Sequence, residues 1–159
     1  MSTYGFILGC HSILRWAVVG FLIALLVRTV RGFQNNRRWT ERDERLHVFL
    51  IAFADVQLLL GLLLYFWLSP VAHAFLASPG AAMKQSALRF YGVEHTLSAF
   101  LALAVLHIGR ARSRRSRGEP RLRQKQVLVS LVVALVLVAA AIPWPGLPYG
   151  RPLFRGFGG

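Results

Sequence analysis

Apolar residues fall into four long blocks, at about residues 6–28, 46–68, 86–110 and 127–142, and the stretches between them are crowded with arginine, proline or glycine. Roughly 20 apolar residues are what a helix needs to cross a bilayer core. The pattern therefore predicts an all-α fold, an integral membrane four-helix bundle. The second block stops at Ser69-Pro70 and the fourth closes at Pro143-Trp144-Pro145, because proline cannot continue a helix. The fourth block is the shortest, so Gln124, Lys125 and Gln126 are expected to snorkel at its start while Trp144 anchors its end. Between the second and third blocks, Pro70, His73, Pro79 and Gly80 read as a loop with a short interfacial helix. Residues 1–145 thus form a membrane domain. The tail, 146–159, is rich in Gly, Pro and aromatics, a composition that builds no core, and it either stays free or lies along a neighbour.

Composition agrees: 55% of the 159 residues are hydrophobic and 16% are charged, far from soluble usage. In a soluble chain the net charge of +13 would point to nucleic acid. Here the basic residues sit between the apolar blocks, which is how membrane topology is written, and no nucleic-acid role is expected. Arg28, Arg31, Arg37, Arg38, Arg42 and Arg45 flank the first connection. Arg110, Arg112, Arg114, Arg115, Arg117, Arg121, Arg123 and Lys125 flank the third. The positive-inside bias places both connections in the cytoplasm, where they meet anionic lipids, and both termini on the outer, periplasmic side. Cys10 is the only cysteine, so an internal disulfide and a thiolate metal cluster are excluded. Cys10-His11 also lacks the partner cysteine of a C-x-x-C-H attachment, so any haem is held non-covalently. The first nine residues have no basic leader region, and a cleavable signal is not expected. Neither a nucleophile with its base, a phosphate-binding glycine loop nor a zinc motif is present.

The chemistry concentrates around His95, which together with Lys84, Arg89 and Glu94 interrupts the start of the third block. An ionisable side chain within a spanning helix costs roughly 2.5–3.5 kcal/mol on insertion scales, which makes it a candidate functional residue. With about 1.5 Å of rise per residue, His11 lies roughly 8 Å and His95 roughly 13 Å from the same end of the bundle. Two imidazoles at similar depth are what a macrocycle held edge-on between helices requires, and histidine is a usual axial ligand of haem iron. Ser98, Ala99 and Ala102 follow His95 at i+3, i+4 and i+7, small residues that open a slot on its face. Arg15 follows His11 at i+4, placed to meet a haem propionate or, from roughly 14 Å depth against roughly 20 Å and so within side-chain reach, the carboxylate of Asp55. Glu94 either orients a ligand, relays protons or pairs with Arg89. A structural reading stands beside these: His11 as a headgroup-level residue, small side chains for close packing, and an Arg15–Asp55 pair without a cofactor.

His47 and His107 share a depth near the basic end and read as interfacial residues. His107 is rotated about 120° around the helix from His95, which disfavours a second haem on the same face. A faint repeat is also present, since 17 residues separate both His11 from Arg28 and His95 from Arg112, consistent with two parallel helical hairpins.

The strings His11-Ser12-Ile13-Leu14-Arg15-Trp16, Gln57 to Phe66, Met83-Lys84 through Leu88-Arg89-Phe90 to Val93-Glu94-His95, and Ile142-Pro143-Trp144-Pro145 together resemble a group of small bacterial four-span proteins labelled cytochrome b-like. The resemblance covers all four blocks. It implies a b-type haem protein of the bacterial inner membrane, with His11 and His95 at the matching positions. The chain departs from that group at Asp55, where a histidine commonly stands.

The leading expectation is therefore a membrane subunit with haem b held by His11 and His95, passing electrons between a quinone or periplasmic donor and a partner within a larger respiratory or photosynthetic complex. Its rival is a cofactor-free accessory subunit that packs on other membrane subunits and binds lipid. Ligation of chlorophyll or copper by the same histidines is a third.

Overall fold

The computed structural model describes residues 2–154. Four of its helices are long and apolar enough to cross a membrane: Thr3–Gln34, Glu41–Leu68, Ser86–Arg115 and Pro120–Ala141. Among the described residues there is no strand. Each span packs chiefly on its neighbours in sequence, and the first also packs on the fourth. The bundle is thus an antiparallel square in which the first and third spans face each other across a diagonal. Val18, Leu22, Leu25, Leu50, Leu106, Val127, Leu131 and Ala134 fill its centre. The outward faces carry Leu59, Phe100, Val129 and Val136, more than half exposed, as a bundle solvated by lipid requires.

The spans overrun their apolar blocks because polar residues cap them. The first continues to Gln34, after which Asn36 takes a left-handed φ of 51° and the Arg37 amide bonds the Gly32 carbonyl at 2.9 Å, closing a Schellman-type end. The second starts at a capping box, Thr40 with Asp43. The fourth starts at Pro120, where proline suits a first helical position, and ends where Ile142 turns extended ahead of Pro143. At 22 residues this span is full length, which corrects the expectation of a short one. Gln124 correspondingly does not snorkel. It is buried and donates to the Arg37 carbonyl, locking the fourth span to the first connection.

Two π turns interrupt the regular pitch at the end where the first span begins and the fourth ends: Leu64–Leu68 closes the second span and Phe90–Glu94 sits early in the third. Backbone bonds there run over five residues, from the His95 amide to the Phe90 carbonyl and from the Ser69 amide to the Leu64 carbonyl. The turns are tied together by the Tyr65 hydroxyl, which donates to the Gly92 carbonyl at 2.9 Å. Helix Pro70–Ala77 then lays Phe75 against Gly92, so closely that a Cβ at residue 92 would fall inside the Phe75 ring.

The opposite, arginine-rich end is fastened by two carboxylates. Asp43 accepts from Arg28 at 2.7 Å, Arg37 at 2.9 Å and Thr40, while Glu44 bridges Arg110 at 2.8 Å and Arg123 at 2.7 Å. His47, expected at the interface, is instead completely buried beside this cluster against Trp39.

Candidate functional site

His11 and His95 come together across the bundle diagonal with ring centres 6.2 Å apart and ring planes at 64°. Each is held by the span that follows its own. On the second span, Gln57 lies 3.2 Å from His11 Nε2, and four residues further, one helical turn on, Gly61 leaves room for the ring edge. A Cβ at residue 61 would stand 3.2 Å from His11 Cε1. On the fourth span, the last helical residue, Ala141, accepts a 2.7 Å hydrogen bond from His95 Nδ1.

These contacts decide which ring atoms are available. A backbone carbonyl only accepts, so the His95 proton sits on Nδ1 and, in the neutral ring, Nε2 keeps a bare lone pair. His11 Nδ1 is buried with no partner within the protein, and so are Gln57 Oε1 and Arg15 Nε. The Gln57 amide can turn either its nitrogen or its oxygen to the ring. With the Gln57 carbonyl turned toward the ring, His11 Nε2 donates to it and Nδ1 becomes a second bare lone pair. Three buried polar atoms around the histidine pair are thus without a partner in the protein and open to a ligand or to water, as are four around His47, Arg110 and Arg123 at the opposite end.

Two cavities of about 100 Å³ each adjoin the pair, and both are lined by His11, Arg15, Gly61, His95 and Thr96. The one nearer the start of the first span is polar at its rim, with Tyr4, Tyr91 and Arg151. The deeper one is apolar, walled by Val18, Leu58, Ala99, Ala102, Leu106 and Val138. Ala99 and Ala102 thus sit where the spacing from His95 placed them, whereas Ser98 lines neither cavity.

The tail closes the site through residues on both diagonal spans. Leu153 presents its carbonyl to Arg15 Nη2 at 2.8 Å and to Trp16 Nε1 at 3.0 Å on the first span, with Phe154 stacked on Trp16. On the third span, Tyr149 stacks on Phe90 at 3.8 Å and accepts from the Tyr91 hydroxyl, and the Arg151 guanidinium lies 4.2 Å above the Tyr91 ring. The remainder of the expected tail, 155–159, lies outside the described residues.

The expected pairing of Arg15 with Asp55 is not formed. Arg15 turns to Ser12 and Leu153, and Asp55 takes His107 at 2.9 Å, both half exposed on the bundle surface where the second and third spans meet. Arg89 and Glu94 pair with each other at 2.7 Å. Five residues apart, they would stand on different faces of an α-helix, and the π turn between them brings them onto one.

No family model, curated protein or solved structure matches this chain. The chemistry of the site therefore rests on its own geometry. Gln57, Gly61, Tyr91, Ala141 and Leu153 contribute to it without a motif of their own. Only the spacing of Gln57 and Gly61, four residues apart on an otherwise apolar helix, hints at a shared face in the sequence.

Proposed function

We propose that this chain is an electron-transfer subunit of a bacterial inner membrane, with haem b held between His11 and His95. Both termini then face the periplasm and the arginine-rich connections face the cytoplasm, following the positive-inside bias. The observation that carries the reading is the histidine pair. His11 and His95, with ring centres 6.2 Å apart, would hold the iron between them. The donor set fits: His95 offers Nε2 behind a fixed Nδ1–H, the second-shell arrangement typical of ligating histidines. Arg15, with a buried and unpaired Nε, and Arg151 supply cations at the polar rim, where propionates need them. Ala99, Ala102, Leu106 and Val138 exclude water from the other side. Haem iron, when bound, supplies a one-electron couple that these side chains do not have. A quinone or periplasmic donor and a larger complex complete the function.

A spectrum of the full-length protein purified from haem-replete cells tests this. A Soret band and a pyridine haemochrome of the b type are expected, both lost in His11→Ala and in His95→Ala. Folded protein without a Soret band removes the proposal.

One observation favours the rival reading of a cofactor-free accessory subunit. Cavities of about 100 Å³ are small beside the roughly 300–1,000 Å³ of pockets for drug-sized ligands. A macrocycle enters only if the tail or Gln57 moves aside. Unchanged assembly and activity of the host complex with His11→Ala/His95→Ala would decide for the rival.

A further inference from the structure

A cavity of about 340 Å³, larger than either cavity at the histidines, opens on the outside of the bundle between the third and fourth spans near their arginine-rich ends. Its walls follow one face of each helix, Val105 and Ile108 on the third span, Val129 and Val133 on the fourth. At its open end stand Arg112 and Lys125, three and five residues from the helix termini at Arg115 and Pro120. That is roughly 5–8 Å of helix, the depth of a headgroup rather than of acyl chains. Among the described residues neither side chain has an ion-pair or hydrogen-bond partner, although carboxylates at this end pair with Arg28, Arg37, Arg45, Arg110 and Arg123. Between the cations and the apolar walls lies Gln126, whose Oε1 is buried without a partner.

We infer that this groove binds one anionic phospholipid whose headgroup carries a hydroxyl, phosphatidylglycerol being the simplest. Arg112 and Lys125 take the phosphate, and an acyl chain lies along Ile108, Val105, Val129 and Val133, reaching roughly 11 Å of helix from the two cations. A hydroxyl both donates and accepts, so it satisfies the Gln126 amide in either orientation. A headgroup that offers no donor, such as the phosphatidic acid dianion, leaves Gln126 Oε1 without a partner. The inference is independent of any cofactor at His11 and His95.

The test is thermal unfolding of the delipidated full-length protein in neutral detergent, with phosphatidylglycerol, phosphatidic acid or phosphatidylcholine added. Phosphatidylglycerol is expected to raise Tm by at least about 4 °C more than phosphatidylcholine. Arg112→Gln/Lys125→Gln should abolish that difference while leaving the lipid-free Tm unchanged, since neither side chain has a partner to lose. Gln126→Leu should keep the preference for anionic lipid and lose the preference for phosphatidylglycerol over phosphatidic acid. Native mass spectrometry of the same variants should show one retained phosphatidylglycerol in the wild type and none in the double variant. Equal shifts with phosphatidylglycerol and phosphatidylcholine, or a shift that survives in the double variant, overturn the site. An equal shift with soluble glycerol 3-phosphate overturns the lipid as its occupant, and a phosphatidylglycerol preference intact in Gln126→Leu overturns the role of the hydroxyl.

Discussion

His95 Nδ1 lies 2.7 Å from the carbonyl oxygen of Ala141, the residue at which the fourth span ends. One hydrogen bond therefore fixes the tautomer of the imidazole and satisfies a helix-end carbonyl that has no intrahelical partner. It also joins the third and fourth spans at the level of the candidate site.

His95→Ala should accordingly destabilise the fold by about 1–3 kcal/mol, the cost of leaving a buried acceptor unpaired. Thermal unfolding in detergent reads this, and haem is not needed for the effect. The loss of stability and the loss of a Soret band are thus separate readouts of one substitution. A His95→Ala protein as stable as the wild type would mean that the Ala141 carbonyl finds another donor.

Gly61 gives a cycle with a sign that can be worked out. Replacing a mid-helix glycine by alanine gains about 1 kcal/mol of helix propensity. In the wild type that gain is opposed by the His11 ring, which must yield to a Cβ placed 3.2 Å from its Cε1. In a His11→Ala background the opposition is gone, so Gly61→Ala should stabilise there by about 1 kcal/mol and by clearly less, or not at all, in the wild type. Identical effects in both backgrounds would show that His11 does not rest on Gly61.

At the paired π turns, Gly92→Ala places a methyl group inside the Phe75 ring and should cost about 1–3 kcal/mol as an overpacked contact. Phe75→Leu should restore part of the loss. Tyr65→Phe removes only the hydrogen bond to the Gly92 carbonyl and should cost about 0.5–1.5 kcal/mol. A Gly92→Ala defect that Phe75→Leu leaves untouched would place the strain in the π turn itself.

Which of these features the sequence discloses follows from what each depends on. The spans are legible because apolar length and proline positions depend on the chain alone, and Ala99 and Ala102 are legible because an α-helix separates His95 from them. The π turns are not, since a bond over five residues has no compositional signature, and Arg89 with Glu94 five residues on is its only trace. Arg15 and Asp55 show the limit of depth reckoning. Depth tells whether two side chains are within reach along the bundle but says nothing of direction around the helix, and Asp55 points to His107 at the surface. The overlong fourth span has the same origin, because Gln124 looks like a headgroup residue until the first connection arrives to bury it.

The Asp55–His107 pair itself is half exposed on a face that meets lipid. Removing one partner leaves a polar group facing hydrocarbon, so Asp55→Leu and His107→Leu should each destabilise. The double substitution should be neutral or stabilising, as replacement of ion pairs in low dielectric often is. A double variant less stable than the wild type would show that the pair contributes net stability, and would point to a partner subunit rather than lipid on this face.

Asp43 presents the opposite balance at the arginine-rich end. Its carboxylate accepts from Arg28, Arg37, the Thr40 hydroxyl and the Thr40 amide, so one side chain neutralises two cations and caps the second span. Breaking a fully buried pair costs about 3–5 kcal/mol. Arg28 and Arg37 are each about one-third exposed and can turn to water, which lowers the expected cost of Asp43→Ala to about 2–3 kcal/mol, cap included. Asp43→Asn keeps an oxygen for the Thr40 amide but loses the charge, so it should fall between alanine and wild type in Tm. An asparagine variant as stable as the wild type would mean that the cap, and not the two arginines, is what holds this end of the bundle together.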